Sequence, residues 1–135
     1  MNCLFCNIAT KEISARIVYE DDATLAFLDI HPRTMGHTVI IPKTHTENIV
    51  MAPEALITPT FLTVKKITVM LQHTLSPKGF TIGINHGRIS GQAVDHLHVH
   101  VIPRYEGDGG GSIHSVVNYS SLLSLDEVAA KIKQN

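Results

Sequence analysis

Short runs in which apolar and polar residues alternate fill the first forty positions of the chain. Arg16 to Tyr19 reads as a strand running into Glu20-Asp21-Asp22, and Ala23 to Asp29 reads as a second strand. The Asp21-Asp22 pair between them has tight-turn composition, so the two predict a hairpin. Ile30 to Gly36 is a loop broken by Pro32 and Gly36. His37 to Ile41 is a β-branched strand that stops at Pro42. The period then changes. From Thr60 to Leu75, the residues Phe61, Val64, Thr68 and Leu71 fall on one helical face, and Ile67 and Met70 fill the stripe. Lys65, Lys66 and Gln72 fall away from it, and Ser76-Pro77-Lys78-Gly79 ends the helix. Phe80 to Asn85 returns to strand, His86 to Val94 is a polar, glycine-bearing loop, and Asp95 to Ile102 is a strand closed by Pro103. Gly107 to Gly111 predicts a flexible loop. Ser124-Leu125-Asp126-Glu127 is a capping-box pattern, and Val128, Ala129 and Ile132 continue a short last helix. Short connections and one long helix predict an α+β domain: a mainly antiparallel sheet, one long helix and a short C-terminal helix.

Composition narrows the function classes. Hydrophobic residues make up 44 % of the 135, which excludes intrinsic disorder, and the length corresponds to about one domain. Eleven Lys and Arg against twelve Asp and Glu leave a net charge of -1, and no run of four basic residues exists. Binding of nucleic acid by phosphate neutralisation is therefore not expected. No apolar run exceeds four residues, so no membrane span is expected. Met1 to Asn7 lacks the basic and apolar segments of a signal peptide. A cytoplasmic, reducing location is the expectation, and there Cys3 and Cys6 are not a structural disulfide. Histidine, at nine copies, is in excess of what composition alone explains.

Three of the nine lie in Asp95-His96-Leu97-His98-Val99-His100-Val101-Ile102. On a strand, His96, His98 and His100 share one face about 6.5 Å apart, and Leu97, Val99 and Val101 share the other. Such a face could be a polar surface, a zinc site or a nucleophile with helpers. Three successive same-face residues are nearly collinear, which makes it hard for all three to reach one tetrahedral ion. The preceding Asn85-His86-Gly87-Arg88-Ile89-Ser90-Gly91-Gln92-Ala93-Val94 offers amides, backbone N–H groups and glycines suited to an anion.

Together these segments resemble the signature of the histidine triad superfamily of nucleotide hydrolases and transferases, its Hint branch above all. His96 to Ile102 matches the pattern His-apolar-His-apolar-His-apolar-apolar at every position. The resemblance extends through Tyr19-Glu20-Asp21-Asp22, Ala26-Phe27-Leu28-Asp29-Ile30 and Gly36-His37-Thr38-Val39-Ile40-Ile41-Pro42-Lys43-Thr44-His45 and covers about residues 1 to 105. It implies a single domain over residues 1–135, with 106–135 a less typical C-terminal extension. It also implies that His98 is a nucleophile towards the α-phosphorus of a nucleoside phosphoramidate or mixed anhydride. A nucleotidyl-histidine then forms, and water releases the nucleoside monophosphate. No metal is required for this chemistry. By the same resemblance His100 contacts phosphate or leaving group. Asn85 and Gln92, with the backbone around Gly91 and Val94, hold phosphate oxygens. Asp29 binds ribose, Phe27 and Ile30 form part of a purine pocket, and His37 lies near the catalytic ring. Ala93 departs from the usual Ser or Thr, which removes one hydroxyl contact.

Cys3-Leu4-Phe5-Cys6 has the spacing of a metal knuckle, yet a site needs two more ligands. On its own the pair reads equally as a redox pair or as packing. Relatives with this pair bind a structural zinc, which the resemblance assigns here to Cys3, Cys6, His45 and His96. A homodimer through the long helix and a sheet edge is implied as well. Alternatives within reach are a dinucleoside polyphosphate hydrolase, a nucleotide-binding regulatory module with little turnover, and a zinc-dependent hydrolase. His31, His73, His86 and His114 match nothing and read as surface residues. Gly107 to Gly111 lacks the Gly-Lys-Ser/Thr ending of a phosphate loop.

Overall fold

In the computed structural model, which describes residues 2–134, five strands make one sheet. They are β1 (Ile17–Glu20), β2 (Thr24–Leu28), β3 (Thr38–Pro42), β4 (Gly79–Gly83) and β5 (Val99–Arg104), in the order β1-β2-β3-β5-β4. Each neighbouring pair is antiparallel. With the helices α1 (Leu4–Ala9), α2 (Glu54–Leu75) and α3 (Leu125–Lys133), this is the α+β architecture read from the sequence. Among the described residues no helix is long and apolar enough to cross a membrane.

The β1–β2 hairpin forms because Asp21 closes its turn. Asp21 Oδ1 accepts the backbone N–H groups of Ala23 at 2.9 Å and Thr24 at 2.7 Å. β2 and β3 are buried on both faces, so their side chains divide between two cores. Ala26, Ile40, Val99 and Val101 meet Val64, Ile67 and Leu71 of α2 on one face. Leu25, Phe27, Val39 and Ile41 meet Cys3, Phe5 and Ile8 on the other. Full burial of a Leu, Ile or Val side chain contributes roughly 1.5–3 kcal/mol.

Several boundaries differ from the sequence reading. α2 begins at Glu54 instead of Thr60, and Pro59 lies inside it. Pro59 reads locally as a helix start, but in the second turn it removes only one backbone hydrogen bond and the helix runs through. Its buried stripe is Thr60, Thr63, Val64, Ile67 and Leu71, while Phe61 and Met70 are exposed. The stripe is rotated because Thr63 Oγ1 is buried 2.7 Å from Thr24 Oγ1, which brings two threonines to the sheet side. β4 ends at Gly83, two residues before Asn85. β5 starts at Val99, not Asp95, and passes through Pro103 to Arg104. Pro103 is tolerated because the β3 pairing ends at Val101, which leaves no ladder partner on that side. α1 was not expected at all, because six residues give no legible helical period.

Gly36 is held at φ +90, and a Cβ there would lie 2.5 Å from Leu75 Cδ1. That close approach seats the loop before β3 on the end of α2. The segment from Gly107 to Gly111 is tied down instead of loose. Asp108 pairs with Arg104 through both oxygens, at 2.7 and 3.1 Å, and accepts the N–H groups of Tyr105 and Gly110. α3 carries the expected capping box, with Ser124 and Glu127 bonded reciprocally.

Candidate active site and metal centre

The three strand-face histidines do not form a straight row. His96 and Leu97 precede the ladder: His96 N–H donates to the Val94 carbonyl and Leu97 N–H to the Thr46 carbonyl. This bend sends His96 away from His98 and His100, which stay together with ring centroids 5.2 Å apart. His98 Nδ1–H donates to the His96 carbonyl at 2.7 Å. Its hydrogen is thereby on Nδ1, and Nε2 carries a free lone pair. The ring is buried and stands edge-on to Phe5 at 5.0 Å. Burial lowers its pKa from the ordinary histidine value, so the ring is neutral at pH 7.

His100 pairs across the ladder with Val39 and Gly83, which places its ring on the same sheet face as Phe27. Its Nδ1 lies 2.9 Å from His37 Nε2. Asp29 Oδ2 is 3.6 Å from His37 Nε2 and 4.0 Å from His100 Nδ1. Burial brings His100 down to about 4 and also lowers His37, so both are neutral imidazoles at pH 7. Asp29 Oδ1 accepts the His31 N–H at 2.8 Å, which fixes the carboxylate at the end of β2.

The other residues singled out from the sequence fall into two groups. Asn85 lines a cavity of about 430 Å³ with Arg33, His37, Ser90 and His100, and no side-chain hydrogen bond occupies it among the described residues. Phe27 is buried edge-on to Phe5 at 5.5 Å, and Ile30 is exposed in the following loop. Gln92 is placed differently. Its Oε1 accepts the Gly87 N–H, and its Nε2 donates to the Glu47 and Val94 carbonyls. The amide is consumed in bracing the loop around Gly91, itself held at φ +98. Val94 is half-buried and packs beside the α1 core.

Three residues beside the histidines or on the cavity wall escaped the sequence reading. Phe5 touches His98, yet the only sequence signal was an aromatic between two spaced cysteines. Arg33 lines the cavity as an exposed cation in the Pro32–Gly36 loop. Ile113, from the C-terminal extension, lines it too, and no local pattern marked that residue.

Cys3, Cys6, His45 and His96 converge, their donor atoms all within 4.8 Å of one another. His96 Nδ1 lies 3.5 Å from both sulfurs and 3.3 Å from His45 Nδ1, and Cys6 Sγ lies 3.4 Å from His45 Nδ1. Tetrahedral bonds of about 2.0–2.3 Å to nitrogen and sulfur separate ligand atoms by about 3.3–3.8 Å, so the set fits zinc. His96 Nε2–H donates to the buried Pro42 carbonyl at 2.8 Å, which leaves Nδ1 aimed at the sulfurs. Burial and the neighbouring Cys3 thiol push Cys6 up to about 11, so a bound cation is what would ionise it. Burial holds His96 at about 4.

Comparison with known proteins agrees with this geometry. The profile of the HIT domain family matches residues 10–107. An uncharacterised HIT-like protein of Methanocaldococcus jannaschii is 45% identical over 133 residues, 97% of this chain and 98% of the relative. An adenylylsulfatase of Arabidopsis thaliana is 32% identical over 131 residues, 97% of this chain and 66% of the relative. A HIT family member from Bacillus subtilis superposes with a TM-score of 0.87 at 37% identity, covering 99% of this chain and 96% of that one. A zinc-bound histidine triad family protein from Mycobacterium smegmatis superposes at 0.76 with 30% identity, covering 99% and 97%. With the profile spanning most of the chain and one relative matched over nearly its whole length, this protein belongs to the HIT family.

Proposed function

We propose that this protein binds nucleotides and hydrolyses nucleotidyl conjugates, nucleoside phosphoramidates foremost, through a nucleotidyl-histidine at His98. The observation that carries the reading is the anchored Nδ1–H of His98, which leaves Nε2 as a neutral nucleophile in a buried site. Nε2 forms a bond to the α-phosphorus as the bond to the leaving amine or acyl oxygen breaks, and an amine takes up a proton from solvent at its nitrogen to depart neutral. Water then attacks the same phosphorus, releases the nucleoside monophosphate and returns His98 to its starting form. His100 and Asn85 face the cavity where the phosphoryl group would sit, and Asp29 stands where a ribose hydroxyl could be held. The adenylylsulfatase relative and a histidine triad nucleotide-binding protein from Candida albicans, which superposes with a TM-score of 0.82, support the class.

Arg33 favours a second substrate class. An exposed cation on the cavity wall suits the extra phosphates of a dinucleoside polyphosphate. A turnover screen of adenosine and guanosine phosphoramidates beside dinucleoside polyphosphates decides between the two. Release of nucleoside monophosphate from neither would refute the reading.

Zinc held by Cys3, Cys6, His45 and His96 would be structural. Four protein ligands close its coordination, so it supplies folding energy and no reacting oxygen. The chemistry belongs to His98 and its neighbours.

A further inference from the structure

Two hydrogen bonds determine where the protons sit around the last histidine of the triad. The backbone N–H of Arg33 donates to His37 Nδ1 at 3.1 Å. That nitrogen therefore carries the lone pair, and in the neutral ring Nε2 carries the hydrogen. His37 Nε2–H then donates across 2.9 Å to His100 Nδ1. With Nδ1 an acceptor, the neutral His100 ring bears its own hydrogen on Nε2. That nitrogen has no hydrogen-bond partner among the described residues, in a ring that lines the cavity with Asn85 and Arg33.

We infer that His37 is a positioning residue that sets the tautomer of His100, so that His100 presents Nε2–H to the transferred phosphoryl group. This rests on the reading of the site given above. Asp29 is what His37 opposes. Its Oδ2 is 4.0 Å from His100 Nδ1 and only 3.6 Å from His37 Nε2, so the His37 hydrogen stands between carboxylate and ring. Without His37 the carboxylate, 4.0 Å from His100 Nδ1, needs to move by only about 1 Å to accept a hydrogen from it, and so favours the hydrogen there, as carboxylates do with imidazoles. His100 then turns a lone pair towards the phosphate oxygens, and attraction becomes repulsion. With His37 in place, a preorganised donor meets the charge that develops on those oxygens. Both ring nitrogens of His37 are engaged, one by Arg33 N–H and one by His100, so the residue works through His100. The same hydrogen occupies the space between the Asp29, His37 and His100 donors, which a metal ion would need empty.

The test compares wild type, His37→Leu and His37→Gln by nitrogen NMR of histidine-labelled protein and by steady-state kinetics on a nucleoside phosphoramidate. Gln places an amide N–H where His37 Nε2–H stands, and Leu places none. Wild type and His37→Gln should show His100 protonated on Nε2. His37→Leu should show it protonated on Nδ1, with kcat lower by about a hundredfold, the scale of losing one preorganised donor. KM should change little, and His37→Gln should keep most of kcat. If His37→Leu fails to fold, His37→Asn replaces it, since Asn still accepts the Arg33 N–H but falls short of His100. Wild-type His100 protonated on Nδ1, or a tautomer unchanged in the Leu or Asn variant, overturns the inference. Tautomers as inferred in a wild type that turns over no nucleotidyl conjugate uphold the tautomer setting and refute the reaction.

Discussion

His98 works in this account as a neutral ring, and burial keeps it neutral further into acid than a free histidine. Protonation removes the attacking lone pair, so kcat/KM should fall as pH drops through the lowered pKa. The midpoint of that acid limb should lie below the ordinary histidine value of about 6.5. A limb centred above that value would contradict the account, because burial outweighs the raising pull of the Asp29 carboxylate on His98. Replacing His98 with Ala should abolish turnover while the fold persists, measured by product release beside a circular dichroism melt. The alternate histidines were legible in the sequence because a strand converts a two-residue spacing into a shared face. Their separate duties were not. The bend at His96, the tautomer of its ring and the full engagement of Gln92 depend on backbone carbonyls from distant segments: Thr46, Pro42 and Glu47.

At the level of elements, α1 joins the Cys3, Cys6, His45 and His96 cluster to the candidate active site. Cys3 caps its N-terminus, Sγ accepting the Cys6 N–H, and Phe5 on the next turn face packs on His98 and Phe27. Six residues do not hold a helix alone. The four-ligand cluster and the core beneath it are what fix α1. Zinc of about one equivalent per chain is the expected content of purified protein, measured by elemental analysis. Cys3→Ser should lower both zinc content and melting temperature, and should affect turnover of the folded fraction less. Unchanged melting in a metal-free Cys3→Ser variant would reduce the cluster to packing. This element was hidden because its helix is made by tertiary contacts, whereas the β1–β2 hairpin and the α3 capping box are specified by adjacent residues. α2 was half legible: its periodicity is strong after Thr60, and Pro59 masked the first turn.

For the molecule as a whole, the sheet is the frame that brings segments far apart in sequence to one cavity. Ile40 is fully buried between β2, β5 and α2, so Ile40→Ala should cost about 2–5 kcal/mol in denaturant unfolding. The outer face of α2 shows Phe61, Leu62 and Val69 to solvent, and the extension beyond Gly111 shows Val116, Tyr119, Leu122 and Leu125. Apolar exposure on this scale fits an isologous pair of chains. Light scattering should give twice the chain mass of 14.8 kDa, and a mass of one chain would reject the dimer. The fold class was legible because connection lengths and one long helix constrain it. The place of Ile113 on the cavity wall was not, because it follows from where the Arg104–Asp108 clasp directs the chain.

The central claim is a covalent nucleotidyl group on His98. Rapid acid quench of enzyme turning over an adenosine phosphoramidate, followed by peptide mass spectrometry under conditions that preserve P–N bonds, tests it most directly. The account predicts an adenylyl group on the peptide containing His98, at that ring and not at His96 or His100, and none in the His98→Ala variant. Turnover with no adduct at any time point, or an adduct mapped to another residue, would contradict it.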